Sequence, residues 1–383
     1  MMELRPFQKN ALLALGNSEL SRNHVLCIAP TGMGKSLIYE TAASQLSTRT
    51  LLVTPLVALA RQQYEKLKRL SIPVALGAGG AAQKPPLSQT GAWIISPEML
   101  LNHSTESYLR KWKPNFLVVD ECHCLWEWGE NFRPAFSFIP NLLKDYKIQR
   151  SLWLTATLPF DARLKLREIL PNTLVEMGHF DLPLGLNLMI MQVSYSDRAS
   201  VLLNWIQKQT GPGIIFVPTR EATLRISRLL QSTRKKVIAY HGGMSSEERK
   251  NIESLVREKI PDIVVATSAF GMGMDYPHLK YVGVWQAPLS LLSLVQTIGR
   301  VGRNTHEISN ALVLWDPEDF QLLEWTIKNS KKRRNALQEL RNFLSSSQCR
   351  LVGLKRYFDH HSPNICCNRC DVCARWKYSQ MPI

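Results

Sequence analysis

Short apolar runs punctuate this 383-residue chain in two separate series. The first comprises VLCIA (25–29), TLLVT (50–54), AWIIS (92–96), FLVVD (116–120) and SLWLT (151–155), with helix-length segments such as 35–47 and 57–70 between them. The second comprises GIIFV (213–217), KVIAY (236–240), DIVVA (262–266), YVGVW (281–285) and NALVLW (310–315). Continuous runs of this length suit strands buried on both faces. Their alternation with helices predicts an α/β fold of mostly parallel sheets covered by helices on each side. Because the pattern restarts, two α/β lobes are expected over 1–190 and 191–325, with LPLGLNLMIMQV (182–193) as the connection. A third region, 326–383, is expected to be mostly helical and then Cys-rich. With 45% hydrophobic and 20% charged residues, the chain has enough apolar material for such cores, and global disorder is excluded. No stretch approaches the roughly 18 apolar residues of a membrane span. The opening MMELRPFQKN lacks the apolar core of a secretion signal, so an intracellular protein without a membrane partner is expected.

The segment APTGMGKS (29–36) follows the strand VLCIA directly and precedes a helix. A nucleoside triphosphate needs backbone N–H groups facing its phosphates at a helix N-terminus, with a Lys on the β/γ-phosphates. Here Gly32 and Gly34 permit close backbone approach, Lys35 supplies charge, and the Ser36 hydroxyl can ligate Mg²⁺; Thr31 and Met33 complete the loop. The usual leading Gly is Ala29. Downstream, VVDECH (118–123) ends an apolar strand in two carboxylates. Asp120 is suited to holding Mg²⁺ and Glu121 to orienting or deprotonating the attacking water. Near the end of the second lobe, IGRVGR (298–303) spaces Arg300 and Arg303 three residues apart. Guanidinium charge brought to a γ-phosphate only on closure of a cleft between lobes would tie hydrolysis to movement.

The Cys-rich end adds a second chemistry. Five of eight cysteines fall within 349–373, and Cys349, Cys367, Cys370 and Cys373 offer four thiolates suited to tetrahedral zinc. A Cys-x2-Cys-x2-Cys run also serves iron–sulfur clusters, so spacing alone does not choose the metal. Cys366 is a surplus thiol, with His360 and His361 as alternative ligands. Charge is concentrated here too. From Thr326 to Ile383 there are 12 Lys and Arg against 3 Asp and Glu, nine of the chain's net +16. A surplus of that sign suits phosphates or an anionic surface.

The order of these segments resembles the superfamily 2 helicases, and their detail resembles the RecQ family of DNA helicases. The resemblance covers nearly the whole chain through LRPFQ (4–8), APTGMGKS, TPLVAL (54–59), SPEML (96–100), DECHCLWEWGENFRP (120–134), LTATLP (154–159), GIIFVPTR (213–220), YHGGMSSEER (240–249), VVATSAFGMGMDYP (264–277) and VQTIGRVGRN (295–304). It implies two tandem RecA-like lobes and a zinc-binding module. It also implies an ATP-dependent 3′–5′ DNA helicase of repair and recombination that needs ATP, Mg²⁺ and Zn²⁺. Single-stranded and tailed or forked duplex DNA would be its partners, with repair proteins, and it would act as a monomer in the bacterial cytoplasm at the nucleoid or in a nucleus. The alternative is a DNA-stimulated translocase, remodeller or annealing factor with weak unwinding.

By the same resemblance, Arg5 and Gln8 read adenine, Gln296 joins Arg300 and Arg303 in the last motif, and the segment after DECH senses single-stranded DNA. Trp126, Trp128 and Phe132 offer flat faces for bases, each stack worth about 1–3 kcal/mol, and Arg133 offers a phosphate contact. Several positions depart from the family pattern. Cys122 replaces the usual Ala, Thr297 stands where the family has an acidic residue, and no aromatic precedes Arg5 to stack on adenine. The family's winged-helix domain is not expected, since ten residues follow Cys373.

Overall fold

The computed structural model describes residues 4–16, 23–30, 32–45, 48–128, 133–170, 174–178, 185–268, 270, 276–302, 307–327, 330–359 and 365–374. The chain divides into two units between Asp181 and Leu182. The first holds a parallel sheet of β1 (Asn23–Ile28), β2 (Arg49–Val53), β3 (Val74–Gly77), β4 (Gly91–Ile95), β5 (Phe116–Val119), β6 (Arg150–Thr155) and β7 (Leu174–Met177). Their helices are α1 (Pro6–Gly16), α2 (Ser36–Gln45), α3 (Val57–Arg69), α4 (His103–Trp112), α5 (Cys124–Trp128), α6 (Asn141–Asp145) and α7 (Phe160–Ile169). Successive strand residues point to opposite faces, and the buried side chains sort accordingly. Leu51, Val53, Leu117, Val119 and Trp153 enter one core; Leu52, Phe116, Val118, Leu152 and Leu154 enter the other. Each such side chain contributes about 1.5–3 kcal/mol by burial, so both faces of these strands must be apolar.

The strand order is β3-β4-β2-β5-β6-β1-β7. Four-residue β3 and β7 lie at its edges and have no counterpart among the expected runs. The order sets β5, β6 and β1 side by side, so the segments leaving their carboxyl ends are neighbours. That is where ligands bind on sheets of this kind. Backbone bonds tie those segments down: Asp120 N donates to Val53 O (3.0 Å), Cys122 N to Leu154 O (2.9 Å) and Ala29 N to Thr155 O (3.1 Å).

The second unit holds β8 (Leu186–Gln192), β9 (Gly213–Phe216), β10 (Val237–Tyr240), β11 (Ile263–Ala266), β12 (Tyr281–Val284) and β13 (Ser309–Trp315), parallel in the order β10-β11-β9-β12-β13-β8. Its helices are α8 (Arg198–Gln207), α9 (Arg220–Gln231), α10 (Ser246–Arg257), α11 (Leu291–Ile298), α12 (Pro317–Thr326), α13 (Lys331–Ser345) and α14 (Arg350–Phe358). The expectation for 182–193 is corrected here. Leu186–Gln192 is an edge strand paired with β13 from Leu186↔Ser309 to Gln192↔Trp315, so a boundary at 190 would cut a strand. Its run LNLMIMQ needs a sheet to bury against, which a connection would not supply.

The Cys-rich end belongs to this same unit. Cys370 makes a one-residue parallel bridge to Leu188 on β8, with Leu188 N donating to Arg369 O and Asp371 N to Leu188 O, both 3.0 Å. Among the described residues no helix is long and apolar enough to cross a membrane.

Candidate nucleotide site and metal centre

β1 ends at Ile28 and the chain enters α2 at Ser36. In the loop between them Gly32 (φ 83°) and Gly34 (φ 80°) adopt the left-handed backbone that a Cβ disfavours. Lys35 Nζ folds over the loop, donating to Ala29 O (2.6 Å) and Pro30 O (3.2 Å). Gln8, buried on α1, braces the loop's other side. Its Nε2 donates to Gly34 O (2.8 Å) while its Oε1 accepts from Arg5 N (2.8 Å). The Arg5 guanidinium reaches Met33 Sδ (2.7 Å). Arg5, Gln8, Met33, Gly34 and Lys35 therefore form one group, while Thr31 lies outside the described residues.

Asp120 follows β5. Loss of solvent, then the charge of Glu121, pushes its carboxyl up to about 7, against the opposing pull of Lys35 and hydrogen bonds from Glu121 N (2.9 Å) and Gln63 Nε2 (2.5 Å). Glu121 has a left-handed backbone (φ 50°), a strained state for a residue with a side chain. His123 links this strand end to the next. Thr155 Oγ1 donates to Thr157 O (2.8 Å), so its single proton is spent and it must accept from His123 Nδ1 (2.9 Å). The network thus assigns the Nδ1–H form, with the same nitrogen 3.3 Å from Glu121 Oε2.

Four residues packed behind these groups are not marked out by any motif in the sequence. Gln63 and Lys66 lie one turn apart on α3, and Tyr39 and Glu40 are adjacent on α2. Lys66 Nζ stands 2.7 Å from the buried Glu40 Oε1 and donates to Ser36 Oγ (3.3 Å). Burial, then the charges of Asp120 and Glu40, holds the Tyr39 hydroxyl well above its ordinary range. The available signal was Glu40 itself, a carboxylate inside the otherwise apolar and small run SLIYETAAS. Ser36 and Asp120 offer hydroxyl and carboxylate oxygens, the donor types Mg²⁺ takes alongside phosphate and water, so the residues present fit that ion.

The segment after β5 mixes packing with exposure. Trp126 is half-buried against the first unit's core. Phe132 and the side chain of Trp128 lie outside the described residues. Arg133, expected at a phosphate, is engaged within the protein: Nε and Nη2 donate to the two carboxylate oxygens of Glu98 (2.7 and 2.9 Å), and Nη1 donates to Pro55 O (2.7 Å). It thereby joins the SPEML and TPLVAL segments. In the second unit, Gln296 sits on α11 with its Nε2 buried and without a hydrogen-bond partner among the described residues. Arg300 follows α11, close enough to Tyr276 to oppose the burial that raises that hydroxyl. Arg303 lies outside the described residues.

At the Cys-rich end, the sulfur atoms of Cys349, Cys367, Cys370 and Cys373 all lie within 4.8 Å of one another. Tetrahedral zinc at about 2.3 Å from each sulfur would space them about 3.8 Å apart, so a small contraction satisfies the ion. Backbone N–H groups already face the sulfurs, Arg350 N at 3.4 Å from Cys370 and Arg369 N at 3.3 Å from Cys367. Hydrogen bonding from Cys367 holds the Cys370 thiol below its ordinary range against burial, while Cys367 is raised by its bond to the same group and by burial, and Cys373 by burial and by its bond to that group. Exposed Cys366 is not in the group, and His360 and His361 lie outside the described residues. Arg350 locks the module: Nη2 pairs with Asp371 (2.9 Å) while Nη1 donates to Phe343 O (2.7 Å) and Leu344 O (3.2 Å) at the end of α13.

Three protein-family models match in sequence: "DEAD/DEAH box helicase" over residues 5–165, "Helicase conserved C-terminal domain" over 197–305 and "RecQ zinc-binding" over 317–374. The last falls on the four-cysteine group. The "ATP-dependent DNA helicase RecQ" of Haemophilus influenzae is 28% identical over 374 residues, covering 93% of this chain and 60% of that protein. The chain belongs to the RecQ family. RecQ of Pasteurella multocida is 29% identical over 91% of this chain and 57% of its own length, so the chain spans about three-fifths of these RecQ relatives. "ATP-dependent DNA helicase Q5" of Rattus norvegicus is 28% identical over 96% of the chain and 42% of its own length. Among solved structures, S. cerevisiae Dbp5 bound to RNA and ADP BeF3 matches with a TM-score of 0.66 at 18% identity, over 90% of this chain and 95% of that one. Mycobacterium smegmatis helicase Lhr bound to ssDNA and AMP-PNP matches at 0.61 and 19%, over 95% and 55%. At that identity these two show the fold alone: RecA-like lobes with, in this RecQ chain, a four-cysteine module on the second unit.

Proposed function

We propose that this chain hydrolyses ATP with Mg²⁺ and uses it to move 3′ to 5′ along single-stranded DNA and unwind duplex, in repair or recombination. The observation that carries the reading is the meeting of three segments at the carboxyl ends of adjacent strands: the Lys35 loop, the Asp120–Glu121 pair and Thr155 with Thr157. Gly32, Met33, Gly34 and Thr31 line the phosphates and Lys35 leaves its carbonyl partners for them. Mg²⁺, when bound, offsets phosphate charge. Ser36 and Asp120 hold it, and Glu121 orients the attacking water and takes its proton, with His123 fixing the Glu121 carboxylate. Arg5 and Gln8 read adenine, while Gln296, Arg300 and Arg303 respond to the γ-phosphate, adding guanidinium charge to the transition state. Trp126, Trp128, Phe132 and Arg133 form the strand-sensing segment. Cys349, Cys367, Cys370 and Cys373 hold structural zinc. DNA as the substrate is supported by the names of the relatives and by the basic Cys-rich end. The protein acts as a monomer.

The test is strand separation by the purified chain on 3′-tailed, 5′-tailed, forked and blunt duplexes, with ATPase measured alongside. ATP-dependent unwinding of 3′-tailed and forked substrates, abolished in Lys35→Ala, is expected. Unwinding restricted to 5′ tails would overturn the polarity. DNA-stimulated ATPase without unwinding would leave a translocase or annealing factor.

A further inference from the structure

α3 touches the magnesium-ligand pair twice from one face. Gln63 and Lys66, at i and i+3, are neighbours on a helix surface. Gln63 Nε2 donates to Asp120 Oδ2 (2.5 Å), and Lys66 Nζ donates to Ser36 Oγ (3.3 Å). The second contact is chemically odd. A hydroxyl that will give its lone pair to a divalent cation is already giving it to an ammonium ion. That ammonium is shared with Glu40, whose side chain is only 2% exposed and whose Oε1 is 2.7 Å from Lys66 Nζ. Lys66 itself is half in solvent, with 51% of its side chain exposed, so it can shift between the two oxygens without repacking a core.

We propose that Lys66 is a positioning residue for the metal-binding hydroxyl. It occupies the Ser36 lone pair while no divalent cation is present, and Glu40 draws it aside when one arrives. A cation of charge +2 beside Ser36 repels the ammonium, which leaves the hydroxyl while keeping the buried carboxylate it already contacts at 2.7 Å. The site then keeps a cation near Ser36 in either state and never leaves Glu40 unpaired, which would be costly in this burial. Gln63 holds the Asp120 carboxylate one helical turn away, so α3 sets both ligands at once. Its entry is fixed in turn by Arg133, which grips Pro55 O two residues before the helix begins. The inference rests on the nucleotide reading of the first unit.

The test is binding of N-methylanthraniloyl-ADP to the full chain, followed by fluorescence in EDTA and then across a Mg²⁺ titration. Glu40→Gln leaves Lys66 on Ser36 and is expected to raise the half-saturating Mg²⁺ concentration by roughly threefold or more, the scale of one nearby charge in a partly solvated site. Adding Lys66→Met to that variant should reverse the rise to the wild-type value or below. Lys66→Met alone should lower it. If the unpaired Glu40 prevents that variant from folding, the reversal in the double variant carries the test. In EDTA all folded variants should bind the nucleotide within about twofold of wild type. A pair that merely ties α2 to α3 predicts that both single changes weaken binding together, in EDTA as well. That result, or no reversal in the double variant, overturns the proposal. Failure of the wild-type chain to bind the analogue with or without Mg²⁺ would instead overturn the nucleotide reading beneath it.

Discussion

Replacing Arg350 by Met should loosen the zinc module more than any exposed substitution in it. Arg350 Nη2 and Nε lie 2.9 and 3.1 Å from Asp371 Oδ2, and Nη1 donates to two carbonyls of α13. The two side chains are 7% and 17% exposed, so water can replace little of what is lost. Met keeps much of the stem volume, which limits any cavity. The cost is therefore that of leaving Asp371 unpaired in a mostly buried site, about 3–5 kcal/mol. With a urea dependence of roughly 2–3 kcal/mol/M for a unit of this size, the midpoint should fall by about 1–2 M. Zinc release into a chromophoric chelator across a urea series reports this for the second unit alone. The double variant Arg350→Met/Asp371→Leu should regain at least half the loss, because no buried charge is then stranded. A midpoint change under about 0.3 M, or a double variant no better than the sum of its parts, would refute the reasoning.

Lys35→Ala removes the cation from the phosphate loop and should lower ATP hydrolysis by a factor on the order of 10²–10³, read as phosphate release at saturating DNA. Gly34→Ala combines φ 80° with a Cβ placed 2.8 Å from Gln8 Nε2. A strain of about 1–2 kcal/mol is expected, visible as a lower unfolding temperature together with weaker nucleotide binding, and Gln8→Ala should relieve only the steric part. At Glu98, burial raises the carboxyl pKa but hydrogen bonding and charge from Arg133 outweigh it, so the net shift is downward from 4.5. The Arg133 clamp should then stabilise the first unit in full above about pH 4.5 and fade as pH falls through the lower folded value. Carboxyl-carbon NMR titration of Glu98 checks this, and an unshifted or raised value would contradict it.

Much of this architecture was legible because it depends on local pattern. The ten apolar runs became strands, since a central strand must be apolar on both faces wherever it sits. The four cysteines came together because their spacing is itself a metal-site constraint. The misses share a different cause. β3 is VALG and β7 is LVEM, four residues each at sheet edges, too short to stand out from the loops around them. β8 was mistaken for a connection because it follows Leu-Pro-Leu-Gly, and nothing local says that LNLMIMQ will find β13 more than a hundred residues later. Gln63, Lys66 and Arg350 act through side chains that meet distant partners. Along their own helices they read as ordinary polar positions. Arg133 was expected at a phosphate; its partners in the structure, Glu98 and Pro55, belong to segments read for other reasons.

The bridge between Cys370 and Leu188 carries a consequence for how this protein fails. β8 is the last strand of its sheet, and its outer edge would otherwise present unpaired N–H and C=O groups along LNLMIMQ, a template for strands of other molecules. The cysteine knuckle sits on that edge and spends two of those groups on itself. Stripping the metal should therefore do more than soften a small module. It should uncover an adhesive seam, so that chelated protein is lost to intermolecular β-assembly at concentrations where the metal-loaded chain stays dispersed.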